Sequence, residues 1–430
     1  MAAITPQAEK LNQTISTESP VVFELLSDRG KQIFFPHEGI LGQTVEAKGV
    51  KLNATIGMAC EDDGSIMVLD AIAKNISLNK GDVFPYAPSF GKKEVRVKWK
   101  EMMLQKNPSL QSEISLPVVT SALTNGLSIA GYLFADEETK IVLADPFWGN
   151  YKLIFNVTYG TELVPSTLFK GGSMDVNGLI NTLKESQAKI LLLNFPNNPC
   201  GYTPTNKEVD KIVTELEKYV QDHQLVVLCD DAYFGLVYKE GVYTESIFSR
   251  LCNLHENLLA VKLDGCTKED YVWGFRVGFL TFGIKGGTTA LYDALADKTA
   301  GAVRGTSSNA PNISQALLLK AFNTPGYEQE KKEKGELLKD RYSELKIILS
   351  SHNEYEEYFT ALPFNSGYFM CVQLMDNLNA EEVRKHLLKK YDTGLISLGT
   401  MIRVAFSSVG ADKLQQIFDN LYATCKELSQ

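Results

Sequence analysis

The chain has 430 residues, 44% hydrophobic and 22% charged, enough to bury a large core and to form about two domains at ~150 residues each. Its net charge is −9 and no basic stripe supplies the cations on which phosphate binding relies, so neither nucleic acid nor an anionic membrane is expected as a partner. The seven cysteines (Cys60, Cys200, Cys229, Cys252, Cys266, Cys371, Cys425) are scattered and odd in number, which argues against a disulfide framework or a metal site and fits a reducing cytoplasm; no secretory leader and no run of ~20 apolar residues is visible.

In chain order, the first twenty residues are polar and without periodicity, which predicts a loose arm or a segment packed on a partner subunit. Short apolar runs then read as buried strands: Val118–Thr120, Ile141–Ala144, Ile190–Leu193, Leu225–Leu228, Leu258–Val261 and Val277–Leu280. Helical patterns lie between several of them. From Thr205 to Gln221 charges occupy one face and Ile212, Val213, Leu216 and Val220 the other; a further helix begins near Asn125. After Pro325-Gly326, the charged stretch 327–350 carries Leu337, Leu338, Tyr342, Leu345 and Ile348 at helical spacing. Alternating strands and helices predict an α/β fold with a mostly parallel sheet, whose ligands bind beyond the carboxyl ends of the strands. Ser121, Asn198, Asp230 and Lys268 all fall at or just past such ends.

Three motifs follow one another at those positions: Asn194-Phe-Pro-Asn-Asn198-Pro199-Cys-Gly201, Asp230-Asp-Ala-Tyr233, and Lys268-Glu-Asp-Tyr-Val-Trp-Gly-Phe-Arg276. An amide, a carboxylate with a phenol three residues on, a lysine and an arginine form, in that order, the set that pyridoxal phosphate needs. Its pyridine ring is an electron sink only while the ring nitrogen stays protonated, and a carboxylate, here Asp230, secures that proton. Lys268 is the side chain able to bond the aldehyde and, once displaced by substrate, to carry a proton to and from the substrate α-carbon. The fork of donors on Arg276 suits the phosphate. Asn198 and Tyr233 suit the ring hydroxyl. The turn Thr120-Ser121-Ala122-Leu123-Thr124 precedes a helix, so its backbone N–H groups offer an anion site for the same phosphate.

This order and spacing resemble the class I/II aminotransferases of the fold type I pyridoxal phosphate enzymes, with motifs closest to the aspartate aminotransferase-like group, over roughly positions 50 to 410. The resemblance implies a large domain with a mostly parallel seven-stranded sheet and a small α+β domain. Residues 1–75 would form an arm and part of the small domain, 76–320 the large domain and 321–430 the rest of the small domain. Asp145-Pro-Phe-Trp148 resembles the segment whose aromatic residue stacks on the cofactor, and Met401-Ile-Arg403 the strand whose arginine pairs with the substrate α-carboxylate. Gly57, in Asn53-Ala-Thr-Ile-Gly57, would lie at the substrate. Tyr86, in Tyr86-Ala-Pro88, is similar to a tyrosine that reaches the partner's cofactor phosphate and so implies a homodimer. Arg304 fits the position of an arginine that reads, across that interface, the side-chain carboxylate of dicarboxylic substrates.

The chain departs from the family pattern at three places. Gly265 stands where a phosphate-binding serine is common, with Thr267 nearby as the compensating hydroxyl. Ser307 stands in for a frequent tyrosine, and Tyr151 for a histidine found beside the aspartate in some members. The resemblance implies transfer of an amino group between an amino acid and a 2-oxo acid by a ping-pong route. A lyase or synthase of the same fold carries nearly the same residues and is the alternative.

Overall fold

The computed structural model describes residues 4–37 and 39–430. A seven-stranded sheet forms its centre: β1 Val118–Thr120, β2 Lys140–Asp145, β3 Glu162–Thr167, β4 Ile190–Asn194, β5 Leu225–Asp230, β6 Leu258–Asp264 and β7 Gly278–Gly283. The spatial order is β1-β7-β6-β5-β4-β2-β3. All neighbours are parallel except that β7 runs antiparallel to both β1 and β6. Every residue of β4 and of β7 is buried, as expected for strands covered on both faces.

Six of these strands follow the apolar runs, the last shifted toward its carboxyl end. The seventh, β3, has no apolar signature because it lies at the sheet edge and is mostly exposed; its Pro165 is tolerated there since one side of an edge strand needs no donor. A second sheet of four strands, β8 Phe359–Ala361, β9 Met370–Leu374, β10 Ile396–Leu398 and β11 Met401–Val404, runs in the order β8-β9-β11-β10 with all neighbours antiparallel. The segment Leu52–Asn53 joins the C-terminal region by pairing in parallel with Thr393–Gly394.

The helices used below are α1 Pro6–Glu18, α2 Lys93–Lys106, α3 Ala122–Phe134, α4 Asn206–Tyr219, α5 Cys266–Glu269, α6 Thr289–Thr306 and α7 Tyr327–Ser351. The first twenty residues, expected to lack regular structure, are largely helical: residues 6–18 form α1, and two further short helices follow by Gln32. Local capping explains it. Thr5 accepts a hydrogen bond from the Ala8 N–H, and Pro6 occupies the first helical position, where its missing donor costs nothing. Helix α4 starts with a reciprocal capping box between Thr205 and Glu208 and buries Val209, Ile212, Val213 and Leu216. Helix α3 begins at Ala122 rather than near Asn125, whose Oδ1 instead accepts from the Ser121 N–H at 3.0 Å. The seven cysteines are free and buried, and no helix among the described residues is long and apolar enough to cross a membrane.

Candidate active site

Asp230 ends β5 with its side chain 2% exposed, among strand ends that give a carboxylate little water. Its charge is held by specific donors: the Tyr151 hydroxyl at 2.6 Å on Oδ2 and the Ala232 N–H at 3.1 Å on Oδ1. Burial nonetheless raises its pKa, against the lowering by Tyr151 and by the Lys268 charge. Tyr151, which the sequence marks only as a departure, thus takes the supporting position beside the aspartate. It is 1% exposed, and the ring of half-buried Trp148 stands edge-on to it at 5.5 Å. Asn194 is a residue that pattern reading misses. Its side-chain N–H donates to the Asp230 carbonyl at 2.9 Å and its Oδ1 accepts from the Asn198 N–H at 2.9 Å, tying the turn after β4 to β5. Asn197 closes the turn through Cys200 and Tyr202, which leaves Asn198 as the amide with a buried Oδ1 and no hydrogen-bond partner.

Lys268 sits in α5, the short helix after β6, with its Nζ 4.9 Å from the centre of the Tyr233 ring. Desolvation pushes its pKa down to about 8; Asp230 works against that shift and Arg276 adds to it. About a tenth of the amine is therefore neutral near pH 7, a few hundredfold more than for an ordinary lysine, and the neutral form is the one that can attack a carbonyl. Tyr233 is 4% exposed and packs edge-on against Tyr368 and Phe369. Phe369 in turn underlies the guanidinium of Arg403, which lies 4.1 Å from the ring centre.

Arg403 is 2% exposed in the middle of β11. It donates to the Thr55 carbonyl at 3.1 Å, its Nε is buried without a partner, and among the described residues no carboxylate forms an ion pair with it. A buried, unbalanced cation is costly unless an anion completes it. Burial lowers its pKa accordingly. Gly57 lies on the same side: a side-chain carbon added there would stand 3.8 Å from Phe369.

Three segments converge at the start of α3. A Cβ on Gly278 would come 2.6 Å from the Ala122 carbonyl carbon and 2.9 Å from the Leu123 nitrogen, so only glycine admits this approach. A Cβ on Gly265 would come 2.7 Å from the Val277 carbonyl oxygen and 3.1 Å from Leu123 Cδ1. A serine is therefore excluded at Gly265 by packing. The hydroxyl that this position lacks is present two residues on, where Thr267 Oγ1 is buried without a partner. Ser121, Ala122 and Leu123 open α3, with Ala122 at φ +66°, and exposed Arg276, at φ +54°, donates to the Trp273 carbonyl at 3.2 Å. A helix N-terminus, a spare hydroxyl and an exposed guanidinium together suit a phosphate.

Two expected site residues stand apart in the single chain. Tyr86 is 89% exposed, and Arg304 near the end of α6 is exposed with its guanidinium donating to Ser308 Oγ at 2.8 Å.

Comparison with solved structures defines the fold class first. An aminotransferase from Anaerococcus prevotii superposes with a TM-score of 0.82 at 22% identity, covering 93% of this chain and 99% of that one. Thermus thermophilus aspartate aminotransferase with maleate gives 0.73 at 16% identity, covering 93% and 99%. These are fold type I enzymes, and this chain has their fold.

The sequence comparison is more specific. Residues 50–421 match the profile of the family described as aminotransferase class I and II, and the chain belongs to that family of pyridoxal-phosphate-dependent amino-group transferases. Among curated relatives, cytoplasmic aspartate aminotransferase of Caenorhabditis elegans is 22% identical over 335 residues, covering 75% of this chain and 78% of the relative. Aromatic-amino-acid aminotransferase 2 of Thermococcus litoralis is 25% identical over 236 residues, covering 54% and 58%, so the alignment spans little more than half of that relative.

Two buried polar atoms without partners have the chemistry to fit the family's cofactor: Asn198 Oδ1 beside the turn and Thr267 Oγ1 beside the helix N-terminus. A Lys268 amine near 8 has a consequence in solution. Uptake of pyridoxal phosphate by the cofactor-free protein should be about tenfold slower at pH 7 than on a plateau above about pH 9, because only the neutral amine condenses with an aldehyde. Stopped-flow absorbance across pH measures this. A rate still climbing through pH 10 would mean a lysine at its ordinary pKa.

Proposed function

We propose that this protein is a cytoplasmic, homodimeric aminotransferase that moves an amino group between an amino acid and a 2-oxo acid by a ping-pong route, with Lys268 as its catalytic residue. The observation that carries the reading is the meeting of Asp230, Lys268 and Tyr233 with two orphaned polar atoms and an unbalanced Arg403. Its division into a large domain, 76–320, and a small domain built from 321–430 and part of 1–75 belongs to the same reading.

Bound there, pyridoxal phosphate supplies the electron sink that stabilises negative charge at the substrate α-carbon. Asp230, its negative form favoured by the Tyr151 hydroxyl, keeps the ring nitrogen protonated. Asn198 and Tyr233 hold the ring hydroxyl, and Trp148 covers a ring face. Ser121, Ala122, Leu123, Thr267 and Arg276 hold the phosphate, joined by the partner subunit's copy of Tyr86. The high exposure of Tyr86 and of Phe84 beside it, 89% and 80%, supports a partner chain at this segment. Arg403 takes the substrate α-carboxylate in a bidentate pair, which also turns the α-hydrogen toward Lys268. The Lys268 amine then removes that proton and later returns one, as suits a base near pH 8. Gly57 leaves room beside the substrate. Arg304, offered across the interface, reads a side-chain carboxylate, which favours aspartate and glutamate.

The experiment is a visible spectrum of the purified protein through successive additions of amino acids. The band of lysine-bound cofactor should bleach with glutamate or aspartate and return with the matching 2-oxo acid. Ammonia or pyruvate release without such return would make the protein a lyase. In the Arg304→Ala variant, kcat/KM should fall ~30-fold or more for aspartate and glutamate but less than ~3-fold for alanine and phenylalanine, since one charge-assisted pair desolvated at the interface is worth about 2–5 kcal/mol. Equal losses would remove Arg304 from substrate recognition.

A further inference from the structure

Two consecutive carboxylates, Glu269 and Asp270, directly follow Lys268, and both are withdrawn from solvent, the first with its side chain 12% exposed and the second fully buried. Placed there alone they would draw the lysine toward its charged form and would each carry a heavy desolvation cost. Both are matched. Lys331 of α7 reaches Glu269 Oε1 at 2.9 Å and Asp270 Oδ1 at 3.0 Å, while Lys106, the last residue of α2, reaches Glu269 Oε1 at 2.6 Å. The Tyr327 hydroxyl, one helical turn before Lys331 and on the same face, donates to Asp270 Oδ1. Tyr368 adds a bond at 2.8 Å to the carbonyl of Lys268 itself. The cluster carries two positive and two negative charges and closes at zero.

The same helix extends the contact toward the other arginine of the site. Lys334 pairs with Glu61 at 2.6 Å, and Arg341 donates to the carbonyls of Cys60 and Ser407 at 2.7 Å each and to Asp62 Oδ1 at 2.8 Å. These anchors lie on the chain segments that carry Thr55 and Arg403. One continuous helix therefore grips the lysine-bearing turn at its start and the surroundings of the carboxylate reader ten residues later.

We propose that Lys331 is a positioning residue for Lys268: by bridging Glu269 and Asp270, the two residues that follow Lys268, it fixes α5 and holds the net charge of that turn at zero. This rests on Lys268 being the residue that bears the cofactor. The charged groups facing Lys268 are Asp230 and Arg276; those facing the carboxylate pair are Lys106, Lys331, Tyr327, Tyr271 and Cys266, with Glu61 near Tyr271.

The test is the pH midpoint at which the visible band of the cofactor-loaded protein changes, read by absorbance without turnover. Lys331→Met leaves one uncompensated negative charge on the buried turn that carries Lys268 and should move the midpoint up by roughly half to one pH unit. Glu269→Gln leaves one extra positive charge and should move it down by a similar amount. Lys331→Arg should keep the wild-type midpoint. A merely structural role predicts displacements of the same sign in both charge variants, or none, and either result in folded protein overturns the proposal. Should Lys331→Met fail to fold, an unmoved midpoint in Glu269→Gln overturns it alone. A wild-type protein with no titrating visible band would instead overturn the assignment of Lys268, and the positioning role with it.

Discussion

Replacing Lys268 by alanine should remove the visible band of lysine-bound cofactor and lower the rate of amino transfer by at least about 10⁴-fold. The size follows from the loss of two roles in one side chain, covalent capture of the aldehyde and proton transfer at the α-carbon, the second alone being worth ~10²–10⁴. The fold should survive. The amine is desolvated, its Nζ lies 4.9 Å from the centre of the Tyr233 ring, and among the described residues it makes no hydrogen bond or ion pair, so truncation relieves a desolvated cation rather than breaking a network. Lys268→Arg should rescue nothing, since a guanidinium stays charged and cannot condense with an aldehyde. Absorbance, a thermal melt and single-turnover assays on the same preparations decide it: a folded alanine variant that keeps the band would displace Lys268 from the mechanism.

Why the lysine could be found without coordinates, while its supports could not, is a matter of range in the sequence. Asn198, Asp230 and Lys268 each follow an apolar strand, so the alternation of strand and helix already sets them at one edge of a parallel sheet. The six buried strands carry that signal because both faces are covered. Edge strand β3 carries none. Helix α1 is hidden for a related reason: it is largely exposed and shows little apolar stripe, so its only mark in the sequence is the cap, Thr5-Pro6.

The supports of the site are contacts between residues far apart in the chain. Tyr151 meets Asp230 across 79 positions, and Asn194 bridges 36 to the same residue. Spacing marks Tyr151 as unusual but not as a donor; only packing shows that a phenol reaches the carboxylate from the histidine position. Gly265 is the converse. Its sequence suggests a damaged phosphate site, yet the Val277 carbonyl leaves no space for any side chain there, and a buried hydroxyl without a partner, that of Thr267, stands two residues on. The acidic pair after Lys268 becomes informative only in the fold, where Lys106 and Lys331 meet it in the interior.

Arg403→Met should move activity and stability in opposite directions. Among the described residues the guanidinium has no carboxylate partner, its Nε is unbonded, and its single hydrogen bond goes to the Thr55 carbonyl. Such a cation is held in place against its own desolvation, partly offset by the Phe369 ring beneath it at 4.1 Å. An apolar side chain of similar length removes that cost and can still pack on Phe369, so the cofactor-loaded variant should melt no lower than wild type, and by as much as a few degrees higher. With no positive charge to meet the α-carboxylate, kcat/KM for amino acids should fall by about 10²–10⁴, mostly through weaker binding and poorer alignment of the α-hydrogen with Lys268. An amine lacking the carboxylate should react at its wild-type rate, however slow. A variant that melts markedly lower and loses both substrates equally would make Arg403 a structural residue; a stable one that discriminates between them would show why this chain retains an unbalanced charge at its centre.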